Sequence, residues 1–168
     1  ILKFLITMFA TVALDLTQAI LIGVIFSSLL FIVKISNMDI SISEVDEKRL
    51  DRAVLKGNNL NNIKVVYFTG PLFFATAEKF KNEVLSIKDA KVIILSMRGV
   101  PLIDTSALQA LSEMIEEVEN RNCKIMLCGL QQPVKELIDK SGFAEKLGSN
   151  MIFWSADQAI KTAETLIA

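Results

Sequence analysis

Asp104, Thr105 and Ser106 are three consecutive side chains able to do polar chemistry, and their setting says what chemistry that could be. Ahead of them run Lys91 to Met97, with the apolar stretch Val92-Ile-Ile-Leu95 of a buried strand, and a short loop containing Gly99 and Pro101. Behind them Ala107, Leu108, Leu111, Met114, Ile115 and Val118 recur at helical spacing. A carboxylate or hydroxyl at such a junction accepts a hydrogen bond from the amides that the first helical turn leaves unpaired. The same spot attracts negative charge, because those amides and the macrodipole make the helix start partly positive. Two uses are open: a plain N-cap, or a place that welcomes an added or bound anion.

No other set of residues has catalytic spacing. The 168-residue chain contains no His, only two cysteines and no glycine-rich phosphate loop. Its carboxylates cluster on the helix face of Glu113, Glu116, Glu117 and Glu119 rather than beside apolar runs where their pKa values could be tuned. That face reads as solvated, or as a docking surface for a basic partner. Cys123 and Cys128 lie in one apolar run at an odd spacing, which sends them to opposite faces of a strand and keeps them from bridging. Without His or a second Cys pair a tetrahedral metal set cannot be completed. Both are expected to be small core residues in a reducing compartment. An enzyme, a cofactor and a metal are therefore not expected, and a net charge of about −2 beyond Ile35 offers nucleic acid no basic field.

The elements that must position Asp104 alternate in type. Lys64 to Phe68 reads as a strand closed by Gly70-Pro71, and Phe73, Phe74, Ala77, Phe80, Val84 and Ile87 follow at helical spacing, with Phe73 and Phe74 expected in the core. Lys124 to Cys128 is a further apolar strand, and Pro133 sets the entry of a helix around Val134, Leu137 and Ile138. Met151 to Trp154 is a short strand before a last helix with Ala159, Ile160, Ala163, Leu166 and Ile167 inward. Trp154 beside Phe153 marks a core edge or a contact with the N-terminal portion. Apolar strands alternating with amphipathic helices define an α/β domain with a largely covered sheet. Upstream, residues 36–49 lack a sustained apolar period and read as a linker. Leu50 to Leu55 reads as a first edge strand, and Gly57-Asn-Asn-Leu-Asn-Asn62 as the turn out of it.

Hydrophobic residues make up 52% of the chain, but Ile1 to Ile35 holds only three charges, Lys3, Asp15 and Lys34. Leu16 to Val33 carries no formal charge over 18 residues. As a helix it covers roughly 27 Å, close to the hydrocarbon thickness of a bilayer. Thr17, Gln18, Gly23, Ser27 and Ser28 interrupt it with small or hydrogen-bonding side chains of the kind that pack helices in lipid. Phe4 to Leu14 is apolar too but covers only about 16 Å, so it is expected to start upstream or to cross halfway. Lys3 and Lys34 at the outer ends put both ends of the pair in the cytoplasm. Residues 1–35 thus read as a transmembrane hairpin, 36–49 as linker and 50–168 as a cytoplasmic domain. A buried helical hairpin in a soluble protein is the competing reading. The chain does not begin with Met and is expected to be part of something longer.

Phe68-Thr-Gly-Pro-Leu-Phe-Phe-Ala-Thr-Ala-Glu-Lys-Phe80 and Val100-Pro-Leu-Ile-Asp-Thr-Ser-Ala-Leu-Gln-Ala-Leu111 resemble the STAS domain of sulfate transporters and anti-sigma-factor antagonists. Thr11-Val-Ala-Leu-Asp-Leu-Thr-Gln-Ala-Ile-Leu-Ile-Gly-Val24 resembles the last membrane helices of SulP anion transporters, which carry a STAS domain at their cytoplasmic C-terminus. The segments stand in the order that family has. The resemblance implies a STAS-like α/β domain with a mixed, mostly covered β-sheet packed by amphipathic helices, preceded by an N-terminal transmembrane helical hairpin.

It also implies the C-terminal portion of a secondary active transporter of sulfate, bicarbonate or dicarboxylate-class anions in the plasma or inner membrane. The expected partners are the rest of the transporter chain, a second copy in a homodimer and a cytoplasmic regulatory protein. Substrate-binding residues would then lie upstream of Ile1. In soluble STAS proteins a serine matched by Ser106 is phosphorylated by a partner kinase, so the resemblance implies Ser106, with Thr105 and Asp104 beside it, as a regulatory phosphorylation site or a helix cap. Ala107 departs from the Gly that those soluble regulators usually carry there, and they lack the hairpin. A membrane-tethered STAS signalling module that binds a kinase or anti-sigma-type partner is the alternative.

Overall fold

The computed structural model describes residues 4–5, 8–9, 15–36, 39–44 and 60–167. Its contacts group the chain into two compact units, Ile1–Asn37 and Met38–Ala168. In the first, α1 (Leu16–Ser36) has 21 residues, about 31 Å of helix. Most of its apolar side chains are exposed, Ile20, Leu21, Val24, Ile25, Leu29, Phe31 and Ile32 among them. The better-covered residues, Ala19, Gly23, Phe26 and Ser27, share one helix face. Gly23 and Ser27 thus sit where small residues let another helix come close, whereas Thr17, Gln18 and Ser28 are exposed. Among the described residues no helix is long and apolar enough to cross a membrane. The described side chains of α1 span 17–32, short of the charge-free run Leu16–Val33 by one residue at each end. Helical backbone recurs at 4–5 and 8–9, and the rest of the expected first arm lies outside the described residues.

The second unit is an α/β domain built on a five-stranded sheet, ordered β1 (Asp39–Glu44), β2 (Ile63–Thr69), β3 (Val92–Gly99), β4 (Lys124–Cys128) and β5 (Ile152–Phe153). β1 runs antiparallel to β2 and the other neighbours are parallel, so the sheet is mixed. Parallel neighbours need crossovers. These are α2 (Phe74–Leu85), α3 (Thr105–Glu119) and the pair α4 (Gln132–Lys140) and α5 (Phe143–Leu147), with α6 (Ala156–Ile167) last.

Alternate strand residues feed two cores. Val66, Phe68, Ile93, Leu95, Ile125 and Leu127 pack with α2 to α5, and Ile63, Val65, Val92, Ile94 and Met126 pack with α6. Burial on both faces is why these strands are apolar runs rather than alternating patterns. The Phe68 and Phe80 rings meet edge to face with centroids 4.1 Å apart, a favoured aromatic geometry. Cys123 belongs to the first core and Cys128 to the second, on opposite faces as their spacing requires. Burial pushes both thiols up to about 11.

Four expectations need correction. Residues 39–44, read as linker, form β1, in which Ile40 and Ile42 alternate with polar residues. Two isoleucines suffice for an edge strand that buries little: Ile40 packs on the core and Ile42 is 43% exposed. Leu50 to Leu55, the expected edge strand, lies outside the described residues. Phe74 is 71% exposed, and Phe73, the extended N-cap residue of α2, is only partly buried and joins neither core. Leu166 is exposed because adjacent helical residues point about 100° apart and its neighbour Ile167 is the one that packs on the second core. Trp154, at 79% exposure, is not a core-edge residue.

Candidate functional site

Asp104 stands at the start of α3, and its one carboxylate caps two helices. Oδ1 accepts the Ala107 N–H at 2.7 Å, the N-cap bond of α3. Oδ2 accepts the Phe74 N–H at 3.2 Å, the first amide of α2 and 30 residues away in the chain. The two helix starts meet because the loops leaving β2 and β3 run side by side. Gly70 N–H donates to the Gly99 carbonyl at 2.9 Å, Leu72 N–H to Leu102 at 3.0 Å and Asp104 N–H to Leu72 at 3.2 Å. Leu72 and Ile103 form a parallel bridge between these loops and are buried. A side chain at Gly99 would set its Cβ 2.0 Å from the Phe68 carbonyl oxygen, so this close approach of backbones requires glycine.

The cap of α2 is incomplete without Asp104. Phe73 has no side-chain acceptor to offer. Thr76, buried, accepts the Phe73 N–H through Oγ1 at 3.0 Å, and its hydroxyl lies 3.2 Å from the Pro71 carbonyl and 3.0 Å from that of Phe73. Neither α2 nor α3 has an acidic residue in its first turn, so Asp104 supplies the negative charge that both helix starts favour. Of the three sequence candidates, the structure brings Asp104 into this joint and leaves Thr105 and Ser106 exposed. Neither hydroxyl forms a hydrogen bond among the described residues. Phe74 and Leu102, both exposed apolar side chains, belong to the same joint.

The acidic face of α3 is largely committed within the domain. Glu113 pairs with Lys81 of α2 at 3.1 Å, Glu117 with Arg121 of its own chain segment at 2.7 Å, and Glu116 with Lys146 of α5. The Lys81 hydrogen bond holds the Glu113 carboxyl below its ordinary range, and the same bond raises the Lys81 ammonium. Exposed pairs of this kind add little stability, but they occupy the charge that a basic partner would have to use. Among the described residues no cluster of His, Cys, Asp and Glu is arranged to hold a metal ion. Sequence reasoning passed over Thr76 and the Phe74 amide. A threonine three residues into the helix was an available cue for the first; the second, a bond over 30 residues, has no local signal.

Residues 55–159 match the STAS domain, and the chain belongs to that family. It looks like the STAS domain of a SulP transporter. The sulfate transporter family protein from Wolinella succinogenes is 33% identical, aligning 63% of this chain with 88% of that structure at a TM-score of 0.59. The bicarbonate transporter BicA of Picosynechococcus is 23% identical over 160 residues, 91% of this chain and 28% of that protein. Murine Solute Carrier 26 family member A9, an anion transporter in its inward-facing state, shares the fold over 97% of this chain and 28% of its own, with a TM-score of 0.77 at 22% identity. The chain spans only 27% and 28% of the length of curated relatives that it matches.

Proposed function

We propose that this chain is the C-terminal portion of a secondary active transporter of sulfate, bicarbonate or dicarboxylate-class anions, and that its STAS domain regulates from the cytoplasm. One observation carries this reading: the similarity to a bicarbonate transporter runs over 91% of the chain, so it takes in the N-terminal apolar segment together with the STAS domain. α1 supports it with 21 helical residues, outward apolar side chains and a covered face of Ala19, Gly23 and Ser27 suited to helix packing in lipid. On this reading α1 is the last membrane helix, the protein is a homodimer, and the substrate is held by helices outside this chain. The chain is not an enzyme and takes no cofactor. Ser106, with Thr105 beside it, is the regulatory position: a phosphate on the first turn of α3 would compete with the Asp104 carboxylate for the same amides and loosen the α2–α3 joint.

The test is uptake of labelled sulfate, bicarbonate and succinate into proteoliposomes holding the complete protein, driven in turn by sodium and proton gradients and by anion exchange. Saturable uptake of at least one anion is expected. No uptake of any of the three, from protein that is folded and inserted, would overturn the transport reading and leave the tethered signalling module.

A further inference from the structure

A cavity on the α6 side of the sheet lies beside the joint at Asp104 and shares Phe68 and Gly99 with it. It encloses about 410 Å³, a size at which small-molecule sites are common, and it opens at the carboxyl ends of β2, β3 and β4 beside the first turn of α6. In α/β sheets that end of the strands is where ligands collect. The sequence explains why the space is there and why part of its wall is polar. α6 covers the apolar residues Ile63, Val65, Val92, Ile94 and Met126 on this face, and the next position on each strand changes character. Tyr67, Ser96 and Cys128 are register partners across three neighbouring strands, so their side chains stand in one row on one face. Ser96 is only 7% exposed and lies close enough to the Cys128 thiol to offset part of its upward shift.

Two residues beyond Ser96 on the same face of β3 is Arg98, exposed at the cavity wall and in no salt bridge among the described residues. Gln131 Nε2 donates to its carbonyl at 2.7 Å, which fixes the backbone beneath it. Asp157, in the first turn of α6, is the carboxylate of the opposite wall. Both charges reach the cavity floor: Arg98 pulls the Cys128 thiol down and Asp157 pushes it up, each a small correction to the rise caused by burial. Two hydroxyls and a guanidinium that forms no salt bridge among the described residues line one cavity. They are the donors that an oxyanion needs, and a guanidinium can engage one through two parallel bonds.

We propose that this cavity binds a small molecule through a carboxylate, sulfate or phosphate group, held by Arg98 with Ser96 and Tyr67 at the floor. The start of α6 adds positive potential on the same side, and Asp157 biases the site against anions of high charge. The site is distinct from the substrate site of the transport reading and does not depend on that reading.

The test is calorimetric titration of the whole 168-residue chain in detergent with sodium sulfate, inorganic phosphate and sodium succinate, against sodium chloride at matched ionic strength. Saturable binding of at least one of the three above the chloride background is expected, and the inorganic and organic arms show which source the site accepts. Arg98→Gln should weaken binding at least about tenfold, and Asp157→Asn should tighten it several-fold, since removing the two charges has opposite sign. Both side chains are exposed, so the variants should keep the thermal midpoint of the parent, measured alongside. No saturable heat for any of the three anions, or an affinity that Arg98→Gln leaves unchanged, would overturn the proposal, whatever the uptake assay shows.

Discussion

Replacing Asp104 by alanine removes two acceptors at once, whereas asparagine removes them unequally, and the difference measures the joint directly. Alanine loses the 2.7 Å N-cap bond of α3, worth about 1 kcal/mol. It also loses the 3.2 Å charge-assisted bond to the first amide of α2, worth about 1.5 kcal/mol. Asp104→Ala should therefore destabilise the domain by about 2.5 kcal/mol. Asparagine caps helices as well as aspartate does, so its carbonyl oxygen keeps the Ala107 bond. Its amide group cannot accept from Phe74, and the loss should be about 1.5 kcal/mol. Thr105→Ala and Ser106→Ala should stay within about 0.5 kcal/mol of the parent, since both side chains are exposed and unbonded. Urea unfolding of the chain in detergent, with unchanged denaturant slope, gives the energies. Native-state amide exchange gives the location: Asp104→Asn should keep Ala107 protected and lose protection at Phe74. An Asp104→Asn variant as stable as the parent, with Phe74 still protected, would refute the two-helix cap.

Gly99→Ala should cost about 3 kcal/mol in the same assay, because its Cβ would lie 2.0 Å from a backbone oxygen that can move only if the β2–β3 pairing shifts. Phe80→Ala should cost about 4 kcal/mol, through lost burial and the lost edge-to-face contact with Phe68. The two cysteines predict an alkaline limit. Each thiol ionises near 9.0 when unfolded and at about 11 when folded, so the folded state keeps its proton longer. Stability should be intact below pH 9 and fall as pH climbs toward 11. Urea midpoints at the two ends of that window check it, and a Cys123→Ala, Cys128→Ala double variant should show a shallower fall than the parent.

Much of the fold was legible because burial on both sheet faces leaves a strong pattern. The run Lys124 to Cys128 coincides with β4, and the stripe from Ala107 to Val118 lies within α3. β1 was hidden because an edge strand needs only one apolar face: Ile40 and Ile42 sit among Asp, Ser and Glu, a composition that linkers share. Leu166 was misplaced because apolar composition does not say which of two adjacent helical residues turns inward, and the Phe73–Phe74 pair because the helix starts only after Phe73. At the site, Asp104 was legible as a cap from its position before a helical stripe. Its second bond, to Phe74, was not, since it depends on two loops separated by α2 and β3 lying side by side. The glutamates of α3 looked free because Lys81 and Lys146, which hold two of them, come from other helices. Arg98 gave no signal until the register placed Tyr67, Ser96 and Cys128 in one row beside it.

The transporter reading proposed above puts α1 in lipid and the α/β domain in the cytoplasm, and site-directed thiol labelling in cells can test both placements at once. Both cysteines of this chain are buried and hold their protons, so once any cysteine outside it is replaced an introduced thiol reports with little background. Ile25→Cys, near the middle of α1, and Thr165→Cys, exposed on α6, are treated with a membrane-impermeant maleimide. Position 165 should label only after the cells are opened, and position 25 only after the membrane is dissolved in detergent. Labelling of position 25 in intact membranes, or of position 165 in unopened cells, would contradict the account.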